Sequence, residues 1–199
     1  MPMHRAYPRS RLSEAVAKTV ADSHAAPFSL RVAGPDDAET ILRLLDDAVV
    51  WLNSRGITEQ WGTTSFSGDP KRVAAAEGWV RSGGAVIASR DGLPAGALVV
   101  GGAMPYVPPP TEPELYVVLM VAGRDPSARG VGHALLGCAE QAGRELGVGL
   151  LRVDCYAGGD RALVRFYDSA GFTRTHTFDV KGWPGQVLER RIDRPPLRR

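Results

Sequence analysis

Residues 115–146, LYVVLMVAGRDPSARGVGHALLGCAEQAGREL, limit what this chain can fold into more than any other stretch. Residues 115–122 form an apolar run rich in β-branched side chains, too short to span a membrane and stopped by Gly123 and by Asp125-Pro126. That pattern predicts a buried strand with its stop signal. From Ala134 onward the apolar residues Leu135, Cys138, Ala139, Ala142 and Leu146 fall on one face of a helix. Glu140 and Arg144 stand four apart on its wet face, in the favourable order. Arg129-Gly130-Val131-Gly132-His133-Ala134 joins strand to helix. Glycines there let the backbone approach a ligand, and the first amides of a new helix have no acceptor within it. Their partial positive charge suits a phosphate or pyrophosphate. The loop is neither a G-x-x-x-x-G-K-[ST] loop nor a full G-x-G-x-x-G, because the third glycine is missing. Alone it does not separate a ligand site from an ordinary turn built of small residues.

Residues 150–172, LLRVDCYAGGDRALVRFYDSAGF, supply a second strand and a short helix. Leu151, Val153 and Cys155 alternate with Arg152, Asp154 and Tyr156, the period of a half-buried strand. Asp160 is placed to cap a helix whose apolar face is Leu163, Phe166, Tyr167 and Ala170, and Gly171 suits its left-handed end. The R-x-x-G-x-A of Arg129, Gly132 and Ala134, followed by a helix, a strand and Phe166-Tyr167-Asp168-Ser169-Ala170-Gly171-Phe172, resembles the GNAT superfamily of CoA-dependent N-acyltransferases. The likeness is sharp over residues 115–172 and extends in element order over 28–192. It implies an α/β (α+β) fold with a mixed, mostly antiparallel sheet of about seven strands flanked by about four helices. It also implies acetyl-CoA or another acyl-CoA as co-substrate.

The rest of the chain is read around that core. At 199 residues and 44% hydrophobic composition, one domain is expected. The expected division is an N-terminal arm over 1–27, an acyltransferase domain over 28–192 and a basic tail over 193–199. Within the arm Leu12, Ala15, Val16, Thr19 and Val20 allow one short amphipathic helix, although a frayed arm is the favoured expectation. Residues 28–33 alternate as a first strand; Pro35, Asp36 and Asp37 open a long helix that ends near Asn53. Asp69-Pro70 opens a second helix, Asp91-Gly92 marks a hairpin, and five prolines between 105 and 113 mark a stiff, extended connection. A last hairpin turns around residues 182–185.

A formal charge of +2 gives no electrostatic footprint for nucleic acid, and no apolar run is long enough to cross a membrane. Cys138 and Cys155 fall on core faces, which suits free thiols in a reducing cytoplasm, and no residue set has metal-ligand spacing.

Acyl transfer to an amine needs a held thioester, a polarised carbonyl, a neutral amine and a proton for the departing thiolate. The resemblance implies that Arg129, Gly130, Val131, Gly132, His133 and Ala134 hold the CoA pyrophosphate, and that Ala122, Gly123 and Arg124 line the pantetheine arm. Arg124 departs from the apolar residue usual there, so its side chain is expected to reach a phosphate. The resemblance makes Tyr167 the acid that protonates the thiolate; a thiol pKa of about 8.5 and a tyrosine pKa of about 10 permit the transfer. Asp160 stands where the family often has asparagine, but a carboxylate repels phosphate, so capping is its expected role. The general base is left open among Glu114, just before the central strand, Glu59, in the two-tryptophan loop, Asp154 and a water chain. The expected reaction is direct transfer to a primary amine of a small molecule. Acceptors on a carrier protein, a protein terminus or an aminoacyl-tRNA, a non-catalytic acyl-CoA sensor, and assembly as a homodimer stay open.

Overall fold

The computed structural model describes residues 7–193; the rest of the arm and the basic tail beyond 193 lie outside the described residues. The elements run α1 (Arg9–Ala21), β1 (Ser29–Val32), α2 (Asp37–Asn53), α3 (Pro70–Arg81), β2 (Ala85–Arg90), β3 (Leu93–Gly101), β4 (Glu114–Ala122), α4 (Val131–Leu146), β5 (Leu150–Tyr156), α5 (Ala162–Ser169), β6 (Thr173–Val180) and β7 (Trp183–Arg191). A single 3-10 turn, Pro126–Ala128, stands between β4 and α4.

Local chemistry sets most of these boundaries. The Asp69 side chain accepts the Lys71 amide with Pro70 at the first helical position, so α3 begins there. Asp91 and Gly92 both take positive φ, 52° and 79°, which closes the β2–β3 hairpin with a two-residue turn. Gly147 ends α4 in a left-handed cap at φ 74°. In α5 the buried residues are Val164 and Tyr167, whereas Leu163 and Phe166 are half-buried, a slight rotation of the expected apolar face.

The seven strands lie in the order β1-β2-β3-β4-β5-β7-β6, antiparallel throughout except where β4 meets β5. That parallel contact is short. It runs from Glu114 opposite Leu150 to Val117 opposite Val153 and then stops. Val118 is left over where the β3–β4 register shifts between Val99 and Val100, a bulge that turns β4 away from β5. Residues 118–122 and 154–156 therefore diverge, and a V-shaped notch opens at that end of the sheet.

One face of the sheet carries α1, α4 and α5 over a core that includes Val16, Leu98, Leu115, Leu135, Leu151 and Leu188. The other face carries α2 and α3 over Ile41, Leu45, Ile87, Ala97 and Val121. Beyond those two helices it is covered by the proline-rich strap over 102–113, where Val107 packs on Tyr116 and Val187. Strand alternation fixes that assignment, since the neighbours Leu115, Val117 and Leu188 belong to the α4 side.

The frayed arm expected for 1–27 is corrected over 9–21. Leu12, Ala15, Val16 and Thr19 are buried, and α1 lies along α4. Arg11 donates to the Leu146 carbonyl at 3.0 Å, satisfying an end of α4, and Lys18 pairs with Glu145 at 2.5 Å. The apolar stripe buries because α4 offers a complementary face.

Candidate active site

The notch, the start of α4 and the inner face of α5 meet at one end of the sheet. Gly130 precedes α4 with φ 92°, a conformation that a side chain resists. The amides of His133 and Ala134 both bond back to the Gly130 carbonyl, whereas those of Gly130, Val131 and Gly132 have no partner among the described residues. Three adjacent donors at a helix N-terminus make a site for an anion. Val131 itself is fully buried and anchors the turn, Ala134 packs against the core, and Arg129 is exposed. Gly132 has a second reason for lacking a side chain: a Cβ there would stand 3.0 Å from the Phe166 ring of α5. His133 meets the same ring edge-on with centroids 5.1 Å apart.

Tyr167 lies in an aromatic stack between Phe166 and Phe172, at 5.2 and 5.5 Å, and is 5% exposed. Burial, reinforced by Cys155 and Asp154 of β5, pushes its hydroxyl pKa well above the ordinary tyrosine value. The phenol therefore stays protonated near neutrality.

The remaining sequence candidates separate. Ala122 pairs with Gly96 of β3, and the Gly123 amide is taken by the Ala95 carbonyl at 2.7 Å, so that amide is not free for a ligand. The Arg124 guanidinium lies 4.4 Å from the Trp51 ring, with that of Arg55 at 4.3 Å from the same ring. Burial, and then the charge of Arg55, pull the Arg124 pKa down. Trp51 and Arg124 line a cleft of about 450 Å³ with Asp47, Val50, Pro94 and Ser127. Asp160 accepts the Ala162 amide at 3.0 Å and pairs with Arg165 at 2.9 Å, which holds its carboxyl low and starts α5.

Glu114 stands at the start of β4, the far end of the strand from its junction with the α4 loop. It pairs with Arg152 at 3.0 Å, both side chains buried, and Arg152 also donates to the Pro108 carbonyl at 2.9 Å. That clamp ties the strap to the β4–β5 ladder. Glu59 is exposed, in a loop that the Trp183 Nε1–H bond to the Gln60 carbonyl, 2.9 Å, holds against β7. Burial and the Glu59 charge both raise the pKa of Tyr156.

Asp154 is the first residue of β5 beyond the β4 pairing. The Tyr116 hydroxyl donates to its Oδ1, and Tyr106 of the strap reaches its Oδ2 at 3.5 Å. Burial outweighs those hydrogen bonds and lifts its pKa above the usual carboxylate range. The sequence offered no sign of these two tyrosines as partners, since one sits in an apolar run and the other among prolines.

A family model described as "Acetyltransferase (GNAT) family" matches residues 56–172, more than half of the chain. The chain belongs to the GNAT acetyltransferase family. It is an acyl-CoA-dependent N-acyltransferase. No curated protein sequence matches it. Among solved structures the GNAT fold recurs in a GNAT-family acetyltransferase from Listeria monocytogenes, with TM-score 0.59 and 21% identity over 82% of this chain and 94% of that one. YncA from Salmonella typhimurium, solved with its cofactor acetyl-CoA, gives TM-score 0.57 and 18% identity over 85% and 96%. The ribosomal-protein-alanine N-acetyltransferase from Brucella melitensis gives TM-score 0.56 and 21% identity over 81% and 98%. Among the described residues of this GNAT chain, no group of three or more His, Cys, Asp or Glu is placed to hold a metal ion, and no helix is long and apolar enough to cross a membrane. Cys138 and Cys155 are buried free thiols whose pKa burial pushes up to about 12.

Proposed function

We propose that this protein transfers an acyl group from acetyl-CoA or another acyl-CoA to a primary amine of a small molecule, by direct attack and without an acyl-enzyme. One observation carries the reading: the β4–β5 ladder ends after four residue pairs, so the notch opens beside three unpartnered amides and a buried tyrosine. The donor supplies the activated acyl carbon; the chain supplies everything that holds and times it. The amides of Gly130, Val131 and Gly132 bind a diphosphate, with Arg129 adding charge from the loop. The β4 edge facing β5 over residues 118–122 has no strand neighbour, and an extended amide-bearing arm laid there gains the main-chain bonds that β5 does not make. Tyr167 gives its proton to the leaving sulfur. Acceptor proton transfer is left to an acid at the notch or to water, since Glu114 is already paired with Arg152.

The small-molecule acceptor is supported by the near-balanced net charge and by the aromatic pair Tyr156 and Trp183 beside the notch; a protein terminus or a carrier-bound amine is the competing acceptor. Calorimetric titration with CoA and thiol release from acetyl-CoA over an amine panel test the proposal. Stoichiometric CoA binding with amine-dependent thiol release is expected. Binding without release for any small amine or terminal peptide would leave a sensor instead.

A further inference from the structure

We infer that Asp154 is the proton acceptor of the reaction and that the face around it takes a primary amine in its cationic form, one carrying no carboxylate of its own. The inference rests on the acyl-transfer reading above and names the acceptor chemistry of that same site.

The argument begins with where Asp154 stands. Side chains alternate along β5, so Asp154 and Tyr156 share the face opposite α4, while Cys155 points to the α4 side. Tyr167 lies on the α4 side, in the same core cluster as Cys155. A carboxylate and a phenol thus flank the notch from its two faces, one able to take a proton and the other able to give one.

The wall around Asp154 is aromatic. Tyr106 packs on Phe178 with centroids 5.1 Å apart, Phe178 on Trp183 at 6.0 Å, and Trp183 on Tyr156 at 5.6 Å. The band runs from the strap to the loop carrying Glu59. A Cβ on Gly185 would stand 2.1 Å from the Phe178 ring, so that glycine lets the ring lie flat on β7. Rings bounded by two carboxylates suit an organic cation, which gains from both the faces and the charge. A substrate carboxylate placed beside Asp154 would be repelled.

Asp154 is also held for the task. A carboxylate has about four lone-pair positions, and Tyr116 and Tyr106 occupy two of them. Tyr116 is fully buried and fixes Oδ1, whereas Tyr106 is 43% exposed and makes the longer contact to Oδ2. The raised pKa brings this acid closer to the working pH of a base. Burial raises its pKa first, and the hydrogen bonds from Tyr116 of β4 and Tyr106 of the strap oppose it; Cys155 and Tyr167, on the α4 side, feel the Asp154 charge in turn. Arg152, two residues back on β5, is engaged by Glu114.

The step balances as follows. The ammonium gives one proton to ionised Asp154 and becomes the free amine. Its nitrogen bonds to the acyl carbon, the carbon–sulfur bond breaks, and the sulfur leaves with the electron pair. Tyr167 protonates that sulfur and recovers a proton from the new amide nitrogen, and Asp154 returns its own to solvent.

The test measures kcat/KM for tyramine and putrescine with acetyl-CoA, beside tyrosine and glutamate, across mildly acidic to mildly alkaline pH. Asp154→Asn should lower kcat/KM by about 100-fold or more and erase the acidic limb of the profile. Its CoA affinity and melting temperature should match the parent. Tyr116→Phe removes a donor to the ionised carboxylate and should shift the acidic limb to higher pH. An Asp154→Asn variant within about twofold of the parent at every pH overturns the inference, as does consumption of tyrosine or glutamate at the rate of its decarboxylated counterpart. Failure of every amine while CoA binds also overturns it; failure of CoA to bind removes the donor reading, and this inference with it.

Discussion

At Tyr167 a single hydroxyl separates two kinds of contribution. Phenylalanine keeps the contacts with Phe166 and Phe172, so Tyr167→Phe should leave CoA affinity close to that of the parent and lower kcat by about 10²-fold. Stopped-flow thiol release beside CoA titration reads the split. Gly130 and Gly132 look alike in the sequence and fail for different reasons. A Cβ on Gly130 meets nothing nearer than Phe28 at 3.9 Å, so Gly130→Ala carries the strain of a left-handed backbone, about 1–2 kcal/mol. CoA affinity should fall with it, read by calorimetry, while Gly132→Ala instead disturbs Phe166. The loop and Tyr167 stood out in the sequence because each lies in a motif that resembles the family's, one opening α4 and the other on α5, at the family's spacing. Asp154's partners were not. Tyr116 lies 38 positions away, and only the parallel register that sets Tyr116 opposite Arg152 brings its hydroxyl to the carboxylate.

Single elements show how far periodicity reaches. The stripe of α2 was readable, and so was the acidic residue at its start, but not the clamp it makes. Asp37 accepts both terminal nitrogens of Arg31 at 2.6 Å and the Gly34 amide at 2.7 Å, joining β1 to α2. The Arg31 bond, with help from Gly34, holds its carboxyl below the usual range against the opposing effect of burial. A depressed carboxylate stabilises the fold above its unfolded pKa, and that contribution fades as pH falls through the folded value. Asp37→Asn should therefore cost about 1–2 kcal/mol at neutral pH, discounted because Arg31 is half in water. Urea melts should show the two proteins converging in acid. The arm illustrates the opposite limit. Its stripe was visible, but whether such a stripe frays or packs depends on a surface supplied by residues more than a hundred positions away.

For the molecule as a unit, α1 completes the layer over α4. Leu12→Ala should cost about 2–4 kcal/mol and lower Tm with little change in CoA affinity, a pairing that thermal melts and titration check together. The mixed, mostly antiparallel sheet of seven strands was expected from the family resemblance, yet the length of its one parallel contact was not, because a bulge at Val118 has no residue signature. That short contact has a mechanical consequence. Strands β1–β4 and β5–β7 are two sub-sheets stitched together by four residue pairs, with the Glu114–Arg152–Pro108 clamp and α4 bracing the join. Such a join is the weakest line through the sheet, so slow amide exchange should fade along it before either half loosens. A protease nick in the strap would release the brace and let the two halves hinge apart.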